Sequence, residues 1–548
     1  MKVSYKNIEI EIENENATVI EAFKEAIEEK ENIIACMVNN EVKPLNYVLK
    51  ENDEVELLNT STRDGARTYT RGLLFIMAMA FEELYPQIKL TVNFQLSSSM
   101  YCETEQDVVI TEEMIEKVKT KMQEIINKNL PIKKVQMSKE EASKFIKKEN
   151  TEIGEIQLEN KDKKEVSLYF CEEYYNYFYG VMPISTGYIN LFDIMKYHDG
   201  FLIRYPSKNK PNEIKPYQEG KKLLATLEEY DDIYRILGIA TLSQLNEKIR
   251  NGEAKDIILL SEALHEKKIA NIADKIIEDR KKRVILIAGP SSSGKTTFAK
   301  RLGIQLKLNG LKPKTISVDN YFVEREETPK DEFGNYNFEA LEAVDLKLLN
   351  EHLVKLLNGE EIEVPTFDFK KGTKYYTGKT MKLEDDEVLV MEGIHCLNDE
   401  LTPAIDKNQK FKIYISALTV LNIDYYNRIS TTDTRIIRRT VRDSQFRGYD
   451  ALRTLSSWYS ISAGEEKYIF PFQEDADVMF NTSLIYEINA LKKYALPLFS
   501  QIGKEEKEYA EAKRLTEFLK YFEQIDIEDI PKNSLLREFI GGGIFNYD

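Results

Sequence analysis

Eight consecutive residues, Gly289-Pro-Ser-Ser-Ser-Gly294-Lys295-Thr296, fit the pattern GxxxxGK[ST], and Thr297 follows them. Small residues let backbone amides wrap a phosphate closely at the positive end of a following helix. Gly289, Ser291, Ser292, Ser293, Gly294, Lys295, Thr296 and Thr297 are therefore candidate ligands of a nucleoside triphosphate. Within this set Lys295 is placed to reach the outer phosphates and Thr296 to ligate Mg2+. Downstream, the apolar runs TISVD and DEVLVME end in Asp319 and Glu392. A carboxylate in such a place can take a proton from an attacking hydroxyl or hold a divalent cation. Asp319 is the candidate base and Glu392 the candidate metal ligand. Arg435, Arg438, Arg439 and Arg442 recur at spacings that set all four on one helix face. Like charges repel there, so the stripe is expected to face a polyanion.

These side chains need elements to hold them. Val284, Ile285, Leu286, Ile287 and Ala288 form the continuous apolar run of a strand buried on both faces, and Phe298, Ala299 and Leu302 continue at helical spacing. Two further apolar runs, ending at Asp319 and Glu392, complete the start of an α/β fold with a parallel sheet flanked by helices. In open sheets of this kind ligands bind at the carboxyl ends of the strands, which puts both acids on the loop's edge. The segment NFEALEAVDLKLLNEHLVKLLNG reads as a helix with Leu348, Leu349, Leu353, Leu356 and Leu357 inward, and EVPTFDFKKGTK is placed to line an acceptor pocket.

The chain has 548 residues, 42% of them hydrophobic and 31% charged, and a net charge of −17. Length alone suggests about three or four domains, and the acidic balance argues against non-specific retention of nucleic acid. Four scattered cysteines without a CxxC pair read as reduced thiols, and four histidines without ligand spacing make a zinc site improbable. No apolar run reaches a membrane span and the first residues do not look like a signal peptide, so a cytoplasmic location is expected.

The boundaries read from the chain are 1–60, 61–216, 217–282, 283–500 and 501–548. In the first, Val3, Tyr5, Ile8, Ile10 and Ile12 alternate around Lys6-Asn7 as a hairpin would, before a helix and two strand-like runs. This order resembles a TGS domain, the β-grasp module at the front of threonyl-tRNA synthetases. The second resembles the α+β editing domain of those enzymes, whose motif is HxxxH followed by a Cys and a His. Here Arg67 and Arg71 stand at the two histidine places, and Phe178 and Met182 at the others. None of the four can act as a base or bind a metal at neutral pH, so editing is not expected. One reading leaves Arg67 and Arg71 facing an anion pocket; the other makes the region a retained scaffold. The third segment is helical and joins this front half to the phosphate loop. The last is a helical extension, in which Gly541 to Gly543 end a short helix.

GPSSSGKTT, SVDNYF, FEALEAVDLKLLNEHLVKLLNGEEIEVPTFDF, VLVMEGIH and DTRIIRRTVRDSQFRG together resemble the uridine kinase and phosphoribulokinase family. The resemblance implies transfer of the γ-phosphoryl of ATP, with Mg2+, to a primary hydroxyl such as the 5′-OH of a nucleoside. It implies that Asp319 deprotonates that hydroxyl, that Tyr321, Asp345, Phe367 and Arg435 contact the acceptor beside it, that Glu392 helps hold the metal, and that Arg438 and Arg442 take lid positions near the phosphates and act on the transferring group. The family's base-reading histidine is replaced here by Gly372. Uridine is the first expectation for the acceptor, and another nucleoside or a small alcohol stays open. An ATP-gated regulatory protein whose front modules contact RNA is the alternative from another class, and a homo-oligomer is left open.

Overall fold

The computed structural model describes residues 1–548 except 7, 30–31, 105–107, 147–153, 161–163, 331–333, 335, 369–370 and 547–548. At the front, strands Lys2–Tyr5 and Ile8–Glu11 pair antiparallel, and Glu54–Asn59, Ile33–Val38 and Glu41–Lys43 complete a five-stranded sheet. Asn7, half of the expected hairpin turn, lies outside the described residues. Helix Arg63–Leu84 follows, capped by the Thr62 side chain accepting from the Gly65 amide. Its run of apolar residues from Leu73 to Phe81 is buried against a four-stranded antiparallel sheet, in the order Asp193–Tyr197, Gly200–Arg204, Ser99–Thr104, Leu90–Gln95.

Helices Lys221–Ile236, Leu242–Arg250 and Ala254–Glu278 then lead to the second half. There five parallel strands stand in the order Lys312–Ser317, Glu387–Glu392, Val284–Ala288, Lys410–Ser416, Val478–Asn481. Every residue of Val284–Ala288 is buried, as its unbroken apolar run requires. Burying each of its large side chains contributes about 1.5–3 kcal/mol. Helices Ala254–Glu278 and Lys295–Leu308 cover one face of this sheet, and Leu346–Leu357 helps cover the other. In Leu346–Leu357, Leu349, Leu353 and Leu356 are buried while Leu348 and Leu357 are only partly so.

The C-terminal extension does not stand apart. Helix Tyr509–Leu519 and the short helix Arg537–Ile540 share one core with the connector helices and the arginine helix Thr431–Arg442. No helix among the described residues is long and apolar enough to cross a membrane. The four cysteines are buried free thiols.

Candidate active site

The phosphate loop joins the buried strand Val284–Ala288 to helix Lys295–Leu308. Gly294 makes the turn at φ +85°, and a Cβ there would lie 2.6 Å from the Leu535 side chain, so both backbone and space demand glycine. Ser292 takes the left-handed region at φ +59° without that excuse, a local strain of about 1 kcal/mol or more. Protein atoms satisfy part of the loop. Lys295 Nζ donates to the carbonyls of Gly289 (2.9 Å) and Pro290 (3.3 Å). The Ser291 amide donates to Glu465 Oε1 at 2.8 Å. The Thr297 amide and hydroxyl both donate to Glu538 Oε2, at 3.2 and 2.6 Å. The hydroxyls of Ser292 and Ser293 are buried without a hydrogen-bond partner among the described residues.

Strand register brings the two expected acids to this loop. Glu392 pairs with Ile287 on one side and with Ser317 on the other, and the Ser317 hydroxyl donates to Glu392 Oε1 at 3.1 Å. Asp319 follows two residues beyond Ser317, exposed to solvent but in a cleft deep among protein atoms. That enclosure pushes the Asp319 carboxyl up, against the pull of Lys295 and Arg447. Burial, and then the charge of Asp319, push Glu392 up to about 7. A third acid shares the cleft. Burial and the neighbouring Glu465 push Glu339 up to about 7, with Arg439, Asp319 and Lys295 within electrostatic reach.

The arginine helix Thr431–Arg442 carries all four arginines toward the loop, but the chain's own carboxylates answer most of them. Arg435 donates to the Ser291 carbonyl at 3.0 Å and pairs with Glu465. Arg438 is fully buried, bonded to Glu487 at 2.5 Å, to Thr482 and, at 3.3 Å, to the Ser292 carbonyl. The expectation of a stripe facing an external polyanion is corrected for these two. Arg438 braces the loop rather than closing over it. Arg439 bonds the Ser291 hydroxyl and lies against Asp443, its Nε 3.2 Å from Oδ2, and the Arg442 Nε stands 3.7 Å from Oδ1 of the same acid. Two arginines sharing one acid, beside two serine hydroxyls that have no hydrogen-bond partner among the described residues, suit a phosphate.

The expected acceptor contacts sit differently. Tyr321 is fully buried with its hydroxyl 3.1 Å from His352 Nδ1, which is a packing role and corrects its placement on the acceptor. Asp345 caps helix Leu346–Leu357 through the Leu348 amide (3.0 Å) and pairs with Lys374 at 2.6 Å, so the structure spends that carboxylate locally. Phe367 is buried against Phe322, ring centroids 5.6 Å apart. Gly372 closes a turn at φ +73°, where a Cβ would meet Arg325 at 2.5 Å. Sequence reasoning missed Glu339, Glu465, Glu487 and Glu538. Glu339 at least carried a signal, an acid in the FEALEAVDL block just before buried Ala340.

Thr296, the second residue of the loop helix, and Glu392 are the residues present to hold a divalent cation. They fit it, because burial and the charge of Asp319 raise the proton affinity of Glu392, and a bound cation would relieve that. In the front half, Arg67 pairs with Glu511 at 2.6 Å and with Asp64 at 3.2 Å, so the anion it was expected to seek is a side chain of the same protein. Arg71 donates to the Val181 carbonyl (3.3 Å) and lies against Gly180, and Phe178 and Met182 are buried.

Residues 284–485 match the model of the phosphoribulokinase / uridine kinase family. A uridine kinase of Mycoplasma genitalium is 31% identical over 212 residues, covering 38% of this chain and 90% of that enzyme. A threonine–tRNA ligase of Clostridium kluyveri is 30% identical over 151 residues, 27% of this chain; the chain spans only 24% of that ligase. The solved structure of a possible uridine kinase from Bacillus stearothermophilus is 21% identical with a TM-score of 0.24, covering 36% of this chain and 89% of that one.

Proposed function

This chain belongs to the phosphoribulokinase / uridine kinase family, and we propose that it transfers the γ-phosphoryl group of ATP to a primary hydroxyl, first of all the 5′-OH of a nucleoside such as uridine. The observation that carries this reading is the trio of acids with raised proton affinity on the carboxyl edge of the sheet, facing the cradle lysine. Lys295 leaves its two loop carbonyls and turns to the β- and γ-phosphates, and the loop amides and the Ser292 and Ser293 hydroxyls take the remaining oxygens. Asp319, poised by enclosure to accept a proton, takes it from the acceptor hydroxyl as that oxygen bonds to phosphorus and the bond to ADP breaks. Thr296 and Glu392 would hold Mg2+, which when bound neutralises charge on the outer phosphates. Arg439 and Arg442, held beside Asp443, turn guanidinium groups to the transferring group.

Glu339 fits the acceptor's hydroxyls better than Asp345, which is committed to a helix cap and to Lys374. A small alcohol other than a nucleoside is the second reading, favoured by Gly372, which offers no side chain to read a base edge. Cytoplasmic location and any contact of the front modules with RNA are further proposals, supported by the free buried thiols and by the likeness to the synthetase's front. ATP consumption screened over nucleosides and small alcohols tests the reading. Acceptor-dependent ADP release supports it, and the acceptor giving the highest kcat/KM names the substrate class. ATP-dependent retention of RNA with no phosphorylated product from any alcohol would replace it with the regulatory reading.

A further inference from the structure

Thr297 is one of the loop residues a nucleotide needs, yet its amide and its hydroxyl are both given to one carboxylate oxygen, Oε2 of Glu538. Glu538 lies 241 residues away, in the short helix Arg537–Ile540 of the C-terminal extension. We propose that Glu538 is a built-in competitor for the phosphates of ATP, an internal anion that keeps the cradle closed until a polyphosphate displaces it toward Arg442. The inference rests on the reading of the loop as an ATP site and adds a control to it.

Three observations support it. A carboxylate on a loop amide and hydroxyl is a stand-in for a phosphate oxygen, matching it in charge and acceptor geometry. The same segment sets Leu535 against Gly294, so the extension touches the loop at two adjacent points. A second berth is at hand, because Arg442 Nη1 stands 3.9 Å from Glu538 Oε1. The segment itself is fixed. Leu535, Leu536 and Phe539 are fully buried, the Arg438 guanidinium lies 5.0 Å from the centre of the Phe539 ring, and Arg537 bonds the carbonyls of Ile527 and Ile530. The moving part is therefore the Glu538 side chain, turning from Thr297 to Arg442 when phosphate arrives. Glu538 also adds to the repulsion felt by Glu392, so its departure eases charge in the cleft at the moment a cation would enter.

The test is calorimetric binding of ATP, and separately of inorganic tripolyphosphate, to the full chain and to Glu538→Gln. Loss of the competing charge is expected to tighten both ligands about tenfold, since a charge-assisted bond is replaced by a neutral one. Glu538→Asp, which keeps the charge on a shorter arm, is expected to fall between the two, and it reads the same quantity if Glu538→Gln fails to fold. Hydrogen exchange at Leu536 to Gly541 should stay slow on adding ATP, as a side-chain swing requires. Equal or weaker ATP binding by both variants overturns the competitor. If the full chain still phosphorylates an alcohol in that case, the proposed function stands without it.

Discussion

The front cleft and the phosphate cradle both set arginines against carboxylates from the C-terminal extension, but their charges balance differently. In the front cleft Arg67, Arg514, Glu511 and Asp433 close on one another, with Arg514 bonded to Asp433 at 2.6 and 2.8 Å. There the surrounding arginines hold the Glu511 carboxyl well below the usual range despite its burial. In the cradle, Glu392 and Glu339 are pushed up to about 7, although Arg439 and Arg442 stand close by beside Asp443. A balanced cluster resists ligands, whereas an unbalanced one invites them. The difference separates a region that has become structure from one that retains chemistry. Asp433 joins the two, since it lies in the first turn of the arginine helix and binds Arg514 of the extension.

That contrast breaks most sharply at Asp319. Asp319→Asn should lower phosphoryl transfer by about 10²–10⁴-fold while ATP affinity, read by calorimetry, changes little. In the front cleft the loss should appear as stability. Glu511→Ala removes the carboxylate that Arg67 and Arg514 share and should cost about 3–5 kcal/mol in urea unfolding, with the turnover of the folded fraction retained.

The two clusters should also answer pH in opposite senses. Glu511 has a folded pKa below its unfolded value near 4.5, so its stabilisation is present above that pH and is lost as pH falls. Glu339 has a folded value of about 7, so the native state holds the extra proton between about 4.5 and 7. Its effect is a penalty that grows through that window and is complete above it. Glu339→Gln should therefore stabilise the chain at pH 8 by about 1–3 kcal/mol and hardly at all at pH 4, measured as urea midpoints at the two values. The smallest effect belongs to Gly372→Ala, which forces a Cβ toward Arg325 at positive φ and should lower stability by about 1 kcal/mol.

Much of the kinase half was legible because its chemistry is written in short spacings. The loop pattern, the acids at the ends of two apolar runs and the arginine periodicity each lie within one element, so position along the chain fixes position in space. The long-range partners were not legible. Glu465 reaches the Ser291 amide across 174 residues and Glu538 reaches Thr297 across 241, and no local pattern announces either meeting. Tyr321 misled for a related reason. An aromatic beside the expected base can face substrate or core, and only the presence of His352 beneath it decides for the core. Arg67 and Arg71 were legible as charged replacements in a synthetase-like cleft. The neutralisation of Arg67 waited on a helix, Tyr509–Leu519, that follows more than four hundred residues later.

The central claim is that Asp319 and the cradle work on one ATP molecule. Its most direct measurement follows the γ-phosphoryl label of ATP into a panel of nucleosides and small alcohols, with the native chain and Asp319→Asn side by side. The account predicts a labelled monoester from the native chain, and from the variant, with ATP still bound, at least about a hundredfold less. Equal labelling by both, or ATP hydrolysis indifferent to every alcohol offered, would contradict it.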